Sequence, residues 1–178
     1  NVTLGIPGEH NVLNALAVIA LATLLGARFD DVAEAMRTFR GARRRFDVLY
    51  RSADYTVIDD YGHHPTEIKV TLATARAANP ERLVCVFQPH RYSRTHLMRE
   101  KFGGAFEDVD ALYVTDIYAA SEEPIPGVSG EVVVDAVRAS GLEDVSYTAD
   151  VHTAHLAIGS RLRRGDMLLT LGAGNVHE

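Results

Sequence analysis

The chain has no tryptophan and a single cysteine among its 178 residues. A disulfide framework is thereby excluded, as is any zinc site built on paired cysteines. The lone Cys85 lies inside the apolar run Leu83-Val84-Cys85-Val86-Phe87 and reads as a core residue of a reducing compartment. No uninterrupted apolar run reaches the roughly 20 residues of a membrane-spanning helix, and the longest lies near residues 15–25. Nothing at the amino-terminal end resembles a signal peptide, so the cytoplasm is the expected location and membrane insertion is not expected. A formal charge of −6 gives no general electrostatic reason to bind nucleic acid or anionic lipid. Two phosphate-binding signatures are also missing. No Gly-x-x-x-x-Gly-Lys-Ser/Thr loop occurs, and Gly172-Ala173-Gly174 lacks both the third glycine of a dinucleotide fingerprint and a helix after it. A nicotinamide-dependent oxidoreductase is disfavoured on that ground. If ATP is used, its phosphate cradle and metal site lie elsewhere.

What is present is an ordinary globular composition, 47% hydrophobic and 24% charged, enough for one domain or slightly more. Residues 11–25 contain neither proline nor glycine, are apolar on nearly every face, and stop at Gly26, a good helix C-cap. A second helix is expected over residues 30–39, with Asp30 and Asp31 at its start and Gly41 beyond its end. A helix apolar all round belongs inside a larger body. Residues 1–45 are therefore expected to be the tail of a domain whose main part lies outside this chain, and residues 46–178 a domain of their own. Strands are expected at 46–51, 55–59, 83–88, 111–116, 145–148 and 167–171. Helices are expected near 65–78, 93–106, 130–140 and 150–163. Ser52-Ala53-Asp54 reads as a hairpin turn between the first two strands. The βα alternation that follows implies an α/β fold, with a mainly parallel sheet covered by helices on both faces.

The chemically unusual residues fall at the ends of these strands, where open α/β sheets bind ligands. One strand runs into Asp59-Asp60-Tyr61-Gly62-His63-His64, another into Pro89-His90-Arg91-Tyr92-Ser93-Arg94, and a third into Ile117-Tyr118. Each has a plainer reading. Asp60 fits a helix N-cap or turn acid. His63 and His64 fit a turn before Pro65, itself well placed at the first position of a helix. Two adjacent histidines rarely face one metal, so no metal site is expected. Arg91 and Arg94, three apart at a helix entrance, can share a face and hold a carboxylate or phosphate, or can be solvated. Gly172-Ala173-Gly174 reads as a tight turn that lets another surface approach. Asn11 and Asn14 on an apolar helix either stitch backbone or read a ligand.

The segment Gly8-Glu9-His10-Asn11-Val12-Leu13-Asn14-Ala15-Leu16-Ala17 resembles the helix entrance common to the Mur ligases, the ATP-dependent amide ligases of peptidoglycan synthesis. Arg44-Arg45-Phe46 is similar to that family's junction into its C-terminal domain. Asp59-Asp60-Tyr61-Gly62-His63-His64-Pro65-Thr66-Glu67 and Phe87-Gln88-Pro89-His90-Arg91-Tyr92-Ser93-Arg94-Thr95 resemble the family's alanine-adding branch, and the likeness spans essentially the whole chain. The resemblance implies a Rossmann-like C-terminal domain, preceded by two helices from the end of a central ATPase domain. The nucleotide-sugar domain and most of the central domain would lie outside the chain, which alone is expected to be inactive. It implies ATP, UDP-N-acetylmuramate and L-alanine as substrates, with Mg2+ bound mainly by the central domain. It matches Asn11 and Asn14 to the adenine end of the ATP site, Asn14 being the more direct contact. Arg45 matches the arginine reaching the phosphates, and Asp60 the aspartate taking the ribose hydroxyls. His63, Arg91 and Arg94 match positions that hold the incoming amino acid. Arg45, Asp60 and His63 are thereby the expected catalytic group. The tripeptide-recycling relative and a non-catalytic α/β binding module are the alternatives.

Overall fold

In a computed structural model describing all of residues 1–178, the βα rhythm from residue 46 onward becomes one six-stranded sheet. Two helices come first, α1 (Glu9–Leu24) and α2 (Phe29–Thr38). Then follow β1 (Asp47–Arg51), β2 (Tyr55–Asp60), α3 (Pro65–Arg76), β3 (Arg82–Phe87), α4 (Tyr92–Gly103), β4 (Ala111–Val114), α5 (Glu131–Ala139), β5 (Val145–Tyr147), α6 (Ala154–Gly159) and β6 (Asp166–Leu171). The spatial order is β1-β2-β6-β3-β4-β5. Only the hairpin pair β1 and β2 is antiparallel, and all the other neighbours are parallel. The last strand thus inserts between β2 and β3. The expected α/β class is what the chain adopts.

Helices cover both faces unequally. On one side α3, α4 and α5 bury Ile68, Leu72, Phe102, Val133 and Val137 against the sheet. Phe87 packs there between Phe102 and Phe106, with ring centroids 5.5 and 5.2 Å away. On the other side α6 alone contributes Ala154 and Ile158, over Val84, Val86 and Tyr113. That helix is much shorter than the expected 150–163. The Asp150 carboxylate accepts the His152 N–H at 2.9 Å, and its carbonyl accepts the Thr153 N–H at 3.2 Å, so a turn replaces the first helical turn. Phe46 is also not part of β1: its φ of 50° is incompatible with a strand.

The start of α3 explains the histidine pair locally. His64 is the N-cap, its Nδ1 accepting the Thr66 N–H at 3.2 Å, with Pro65 at the first helical position. Glu67 accepts the His63 and His64 N–H groups at 3.1 and 3.2 Å, completing a capping box with histidine in the usual serine place. Asp60 is therefore not the helix cap. It is a turn acid, accepting the Gly62 N–H at 2.7 Å.

Gly26 follows α1 at φ 89°, as a C-cap glycine should. The expected burial of α1 does not occur within this chain. Ala15 is its only buried residue, while Leu13, Leu16 and Leu24 are 66%, 58% and 83% exposed. An apolar face that open is an interaction surface in search of cover.

Candidate functional site

The parallel strands end level. Asp60 is in register with Leu171, Leu171 with Phe87, and Phe87 with Val114. The segments leaving these ends are stitched to one another. The Gly172 N–H donates to the Asp60 carbonyl at 3.1 Å, and the Gln88 N–H to the Leu171 carbonyl at 2.9 Å. The Arg91 N–H donates to the Tyr118 carbonyl, and the Tyr118 N–H to the Pro89 carbonyl, each at 2.9 Å. The convergence expected from sequence is thus a continuous hydrogen-bonded rim. Gly174 belongs to it for a steric reason. A side chain there would collide with the Gln88 amide and the Tyr118 ring, so the surface that approaches this turn is the protein's own.

Arg44 locks the approach to this rim. Its Nε donates to Asp59 Oδ2 at 2.9 Å, and its Nη1 and Nη2 to the Gly174 and Gly172 carbonyls at 3.0 and 2.7 Å. Asp59 is almost fully buried and also accepts the Thr170 hydroxyl at 2.7 Å. Arg44 and Phe46 both lie in the left-handed region, at φ 58° and 50°, a strain that persists only where the surroundings hold it. Two bonds do so: the Tyr61 N–H donates to the Arg44 carbonyl and the Phe46 N–H to Asp60 Oδ2, each at 2.8 Å.

Between α1 and the start of α3 lies a polar cleft of about 450 Å3, and four of the expected residues line it: Asn11, Asn14, Arg45 and Asp60. The two asparagines are not buried, so the need to satisfy a buried amide does not explain them. Asn11 donates to the Pro7 carbonyl at 2.6 Å, whereas Asn14 makes only a 3.4 Å contact with the Asn11 side chain. Asn14 is therefore the freer of the two to read a ligand. Arg45 is exposed, resting on the Tyr61 ring at 5.4 Å. The Asp60 carboxylate is committed to Phe46, Gly62 and the Thr71 hydroxyl, which uses three of about four acceptor positions. One remains for a hydroxyl in the cleft. His10 Nδ1, buried without a partner, sits in the same wall.

The other expected residues gather around a side chain that sequence reasoning passed over. His90 stacks on Tyr118 at 5.7 Å and faces His63 at 5.3 Å. His63 meets Tyr61 edge-on at 5.5 Å, and Arg44 and Arg45 lie over the same Tyr61 ring. A row of rings thus links the cleft to the entrance of α4. Arg94 folds back so that its Nη1 lies 3.1 Å from both the His90 carbonyl and His90 Nδ1. Arg91, the N-cap residue at φ 71°, points instead toward Glu122. The two arginines do not form one fork. Arg94 is turned to His90 and Arg91 toward Glu122.

Because arginine only donates, His90 Nδ1 must accept from Arg94, which leaves the ring proton on Nε2 and the imidazole neutral. Burial, then the neighbouring His63, Arg94 and Arg91, push its pKa down to about 4. An unfolded histidine titrates near 6.5, so between about 6.5 and 4 the unfolded chain binds more protons. Stability should therefore be full above that window and fall as the pH drops through it. His90→Gln should flatten this part of the profile, read as the urea midpoint between pH 7 and 4.5. An unchanged slope would place the titration on another group.

Nothing in the sequence marks Arg44 apart from Arg43 and Arg45, or pairs His90 with Tyr118. The second follows only once β3 and β4 are parallel neighbours, since both residues then leave adjacent strands by a similar offset. No group of three or more His, Cys, Asp or Glu side chains is placed to hold a metal ion. No helix is long and apolar enough to cross a membrane.

Known proteins similar to this chain are consistent in kind. The UDP-N-acetylmuramate–L-alanine ligase of Anaeromyxobacter sp. (strain Fw109-5) is 51% identical over 169 residues, which cover 95% of this chain and 37% of that protein. The ligase of the same name from Myxococcus xanthus is 48% identical over 95% of this chain. Among solved structures, UDP-N-acetylmuramate-alanine ligase from Thermotoga maritima superposes with a TM-score of 0.82 at 33% identity, over 99% of this chain and 37% of that one. A murein peptide ligase from Psychrobacter arcticus gives 0.70 at 26% identity, over 98% of this chain and 36% of that one. The chain thus spans a little over a third of the length of the curated relatives it matches. The family model described as Mur ligase, glutamate ligase domain, matches residues 44–174, from the arginine that locks the rim to the glycine that closes it, and the chain belongs to the Mur ligase family.

Proposed function

We propose that this chain is the carboxyl-terminal part of an ATP-dependent amide ligase that joins L-alanine to UDP-N-acetylmuramate in peptidoglycan synthesis. The observation that carries this reading is the placement of residues 59–67 and 87–95 on either side of β6, one beside a polar cleft and one beside a pair of arginines. Two ligand classes, a nucleotide and a small zwitterion, suit those two neighbourhoods. The similarity to alanine-adding ligases supports the same assignment.

In this reading Asn14 meets the adenine and the free acceptor position of Asp60 takes a ribose hydroxyl. Arg45 reaches the phosphates, where a fixed cation stabilises developing charge. His63, Arg91 and Arg94 receive L-alanine, the arginines facing its carboxylate. The reaction transfers the γ-phosphoryl group of ATP to the muramyl carboxylate, releasing ADP. The alanine amine then attacks the acyl carbon, losing a proton as the C–N bond forms and phosphate leaves. Positioning supplies much of the rate. A magnesium ion accompanying the nucleotide is held mainly by the central domain and the phosphates. Residues 1–45 are the tail of the central ATP-binding domain, whose remainder covers the open apolar face of α1. A cytoplasmic setting accords with a free, buried cysteine.

The deciding experiment is an amino-acid screen of the full-length ligase with ATP and UDP-N-acetylmuramate, read as phosphate release. L-Alanine should give the highest kcat/KM. Activity with a tripeptide and none with L-alanine would move the protein to the peptide-recycling branch.

A further inference from the structure

The loop after β4 carries a carboxylate that reaches back onto another element. Glu122 follows two consecutive non-glycine residues in the left-handed region, Ala120 at φ 48° and Ser121 at 69°. The turn is closed by the Glu122 N–H donating to the Ala119 carbonyl at 3.0 Å. From there the side chain meets the first turn of α4. Oε2 accepts the Ser93 N–H at 3.0 Å, and Oε1 accepts the Ser93 hydroxyl at 2.7 Å.

Helix α4 has no cap of its own, because Arg91 at the N-cap position makes no side-chain capping bond. Glu122 supplies from a distant loop the acceptor that a serine or aspartate normally provides locally. Its charge also suits the positive end of the helix. The bonds from the Ser93 N–H and hydroxyl, then the charge of Arg91, hold its carboxyl below the usual carboxylate range. Glu122 Oε1 lies 4.0 Å from Arg91 Nη1. At this entrance Arg91 and Arg94 are cations and Glu122 is an anion, while His90 is neutral. These three charged side chains together leave one unit of positive charge.

We propose, resting on the assignment of this region to the amino-acid substrate, that Glu122 is a specificity-determining residue that limits the site to amino acids with a single carboxylate. It occupies the helix end and balances Arg91, so the α-carboxylate of a small neutral amino acid completes the charge. A second carboxylate, as in aspartate or glutamate, meets a like charge already seated on the α4 N–H and hydroxyl groups. Repulsion of this kind is how interfaces reject wrong partners.

The test uses the full-length ligase, with L-aspartate as competitor against L-alanine and phosphate release as the readout. In the wild type L-aspartate should compete poorly. In Glu122→Gln and in Glu122→Ala the ratio of the L-aspartate inhibition constant to the L-alanine KM should fall about tenfold. Glu122→Asp keeps the charge but shortens the reach, and should retain most of the wild-type discrimination. A loss of helix capping alone would affect all three variants without changing the ratio selectively. A wild-type enzyme that uses L-alanine, with an unchanged ratio in Glu122→Gln and Glu122→Ala, overturns this inference and leaves the proposed function standing. So does Glu122→Asp behaving like Glu122→Gln. A wild-type enzyme with no L-alanine-dependent phosphate release removes the proposed function itself, and this inference with it.

Discussion

Arg44→Ala is expected to destabilise the chain by about 3–5 kcal/mol, the usual cost of removing one partner from a buried ion pair. The substitution strands Asp59, which is 1% exposed, with only the Thr170 hydroxyl as a side-chain partner. It also frees the Gly172 and Gly174 carbonyls, each of which loses an arginine donor. The melting temperature should fall by roughly 10 °C in a protein of this size. Arg44→Lys should recover part of the loss, since a point charge can face Asp59 but cannot fork to three acceptors. Combining Arg44→Ala with Asp59→Asn tests the source of the effect. If the cost is a stranded charge, the double variant is less destabilised than the two single losses added together. A loss under about 1 kcal/mol for Arg44→Ala would put this contact with ordinary surface pairs and dismiss it as the lock.

Its neighbour should behave in the opposite way. Arg45→Ala in the full-length ligase is expected to lower turnover about 100-fold, the range seen when one donor to a developing anion is removed, while stability barely changes. The contrast follows from the surroundings. Arg45 is exposed, rests only on the Tyr61 ring, and lines the cleft beside Asp60. Arg44 lies over the same ring but commits its guanidinium donors to the rim. Steady-state kinetics beside a melting curve separate the two roles. Full turnover in Arg45→Ala would remove this residue from the phosphate end of the site. A large fall in stability would instead make it structural. Arg45→Lys should fall between, keeping charge but losing planar, two-point contact.

These neighbours mark where reading a sequence stops short. The strand expected at 83–88 was legible because an apolar run buried on both faces has few alternatives, and the one at 55–59 because Tyr55–Ile58 alternates. So was the start of α3, where Pro65 follows a polar cap. The strands' parallel sense followed from the βα rhythm, but the place of β6 between β2 and β3 did not; the level strand ends bring both His63 and Arg94 against His90. The role of Arg44 was not legible. Its partners lie 15, 128 and 130 residues away, and three consecutive arginines offer no local sign of which turns inward. The true length of α6 escaped for the opposite reason. One local competitor, the Asp150 turn, outweighed a helical pattern that extended on both sides. The hub at His90 depends on β3 and β4 being adjacent and parallel, a tertiary fact. Only a committed topology could have placed Tyr118 over its ring.

The two left-handed residues on either side of Arg45 have a mechanical consequence. Arg44 and Phe46 are tied to Asp59, Asp60 and Tyr61 at the end of β2, so this stretch rides with the sheet. Any swing of the sheet relative to α1 and α2 must pivot ahead of it, around Gly41 (φ 88°), Ala42 and Arg43. Arg45 and Asp60 then travel together, while Asn11 and Asn14 stay behind on α1. Under the proposed function, a nucleotide between them would be gripped by two pieces that can part, and its release would depend on how far that three-residue pivot opens.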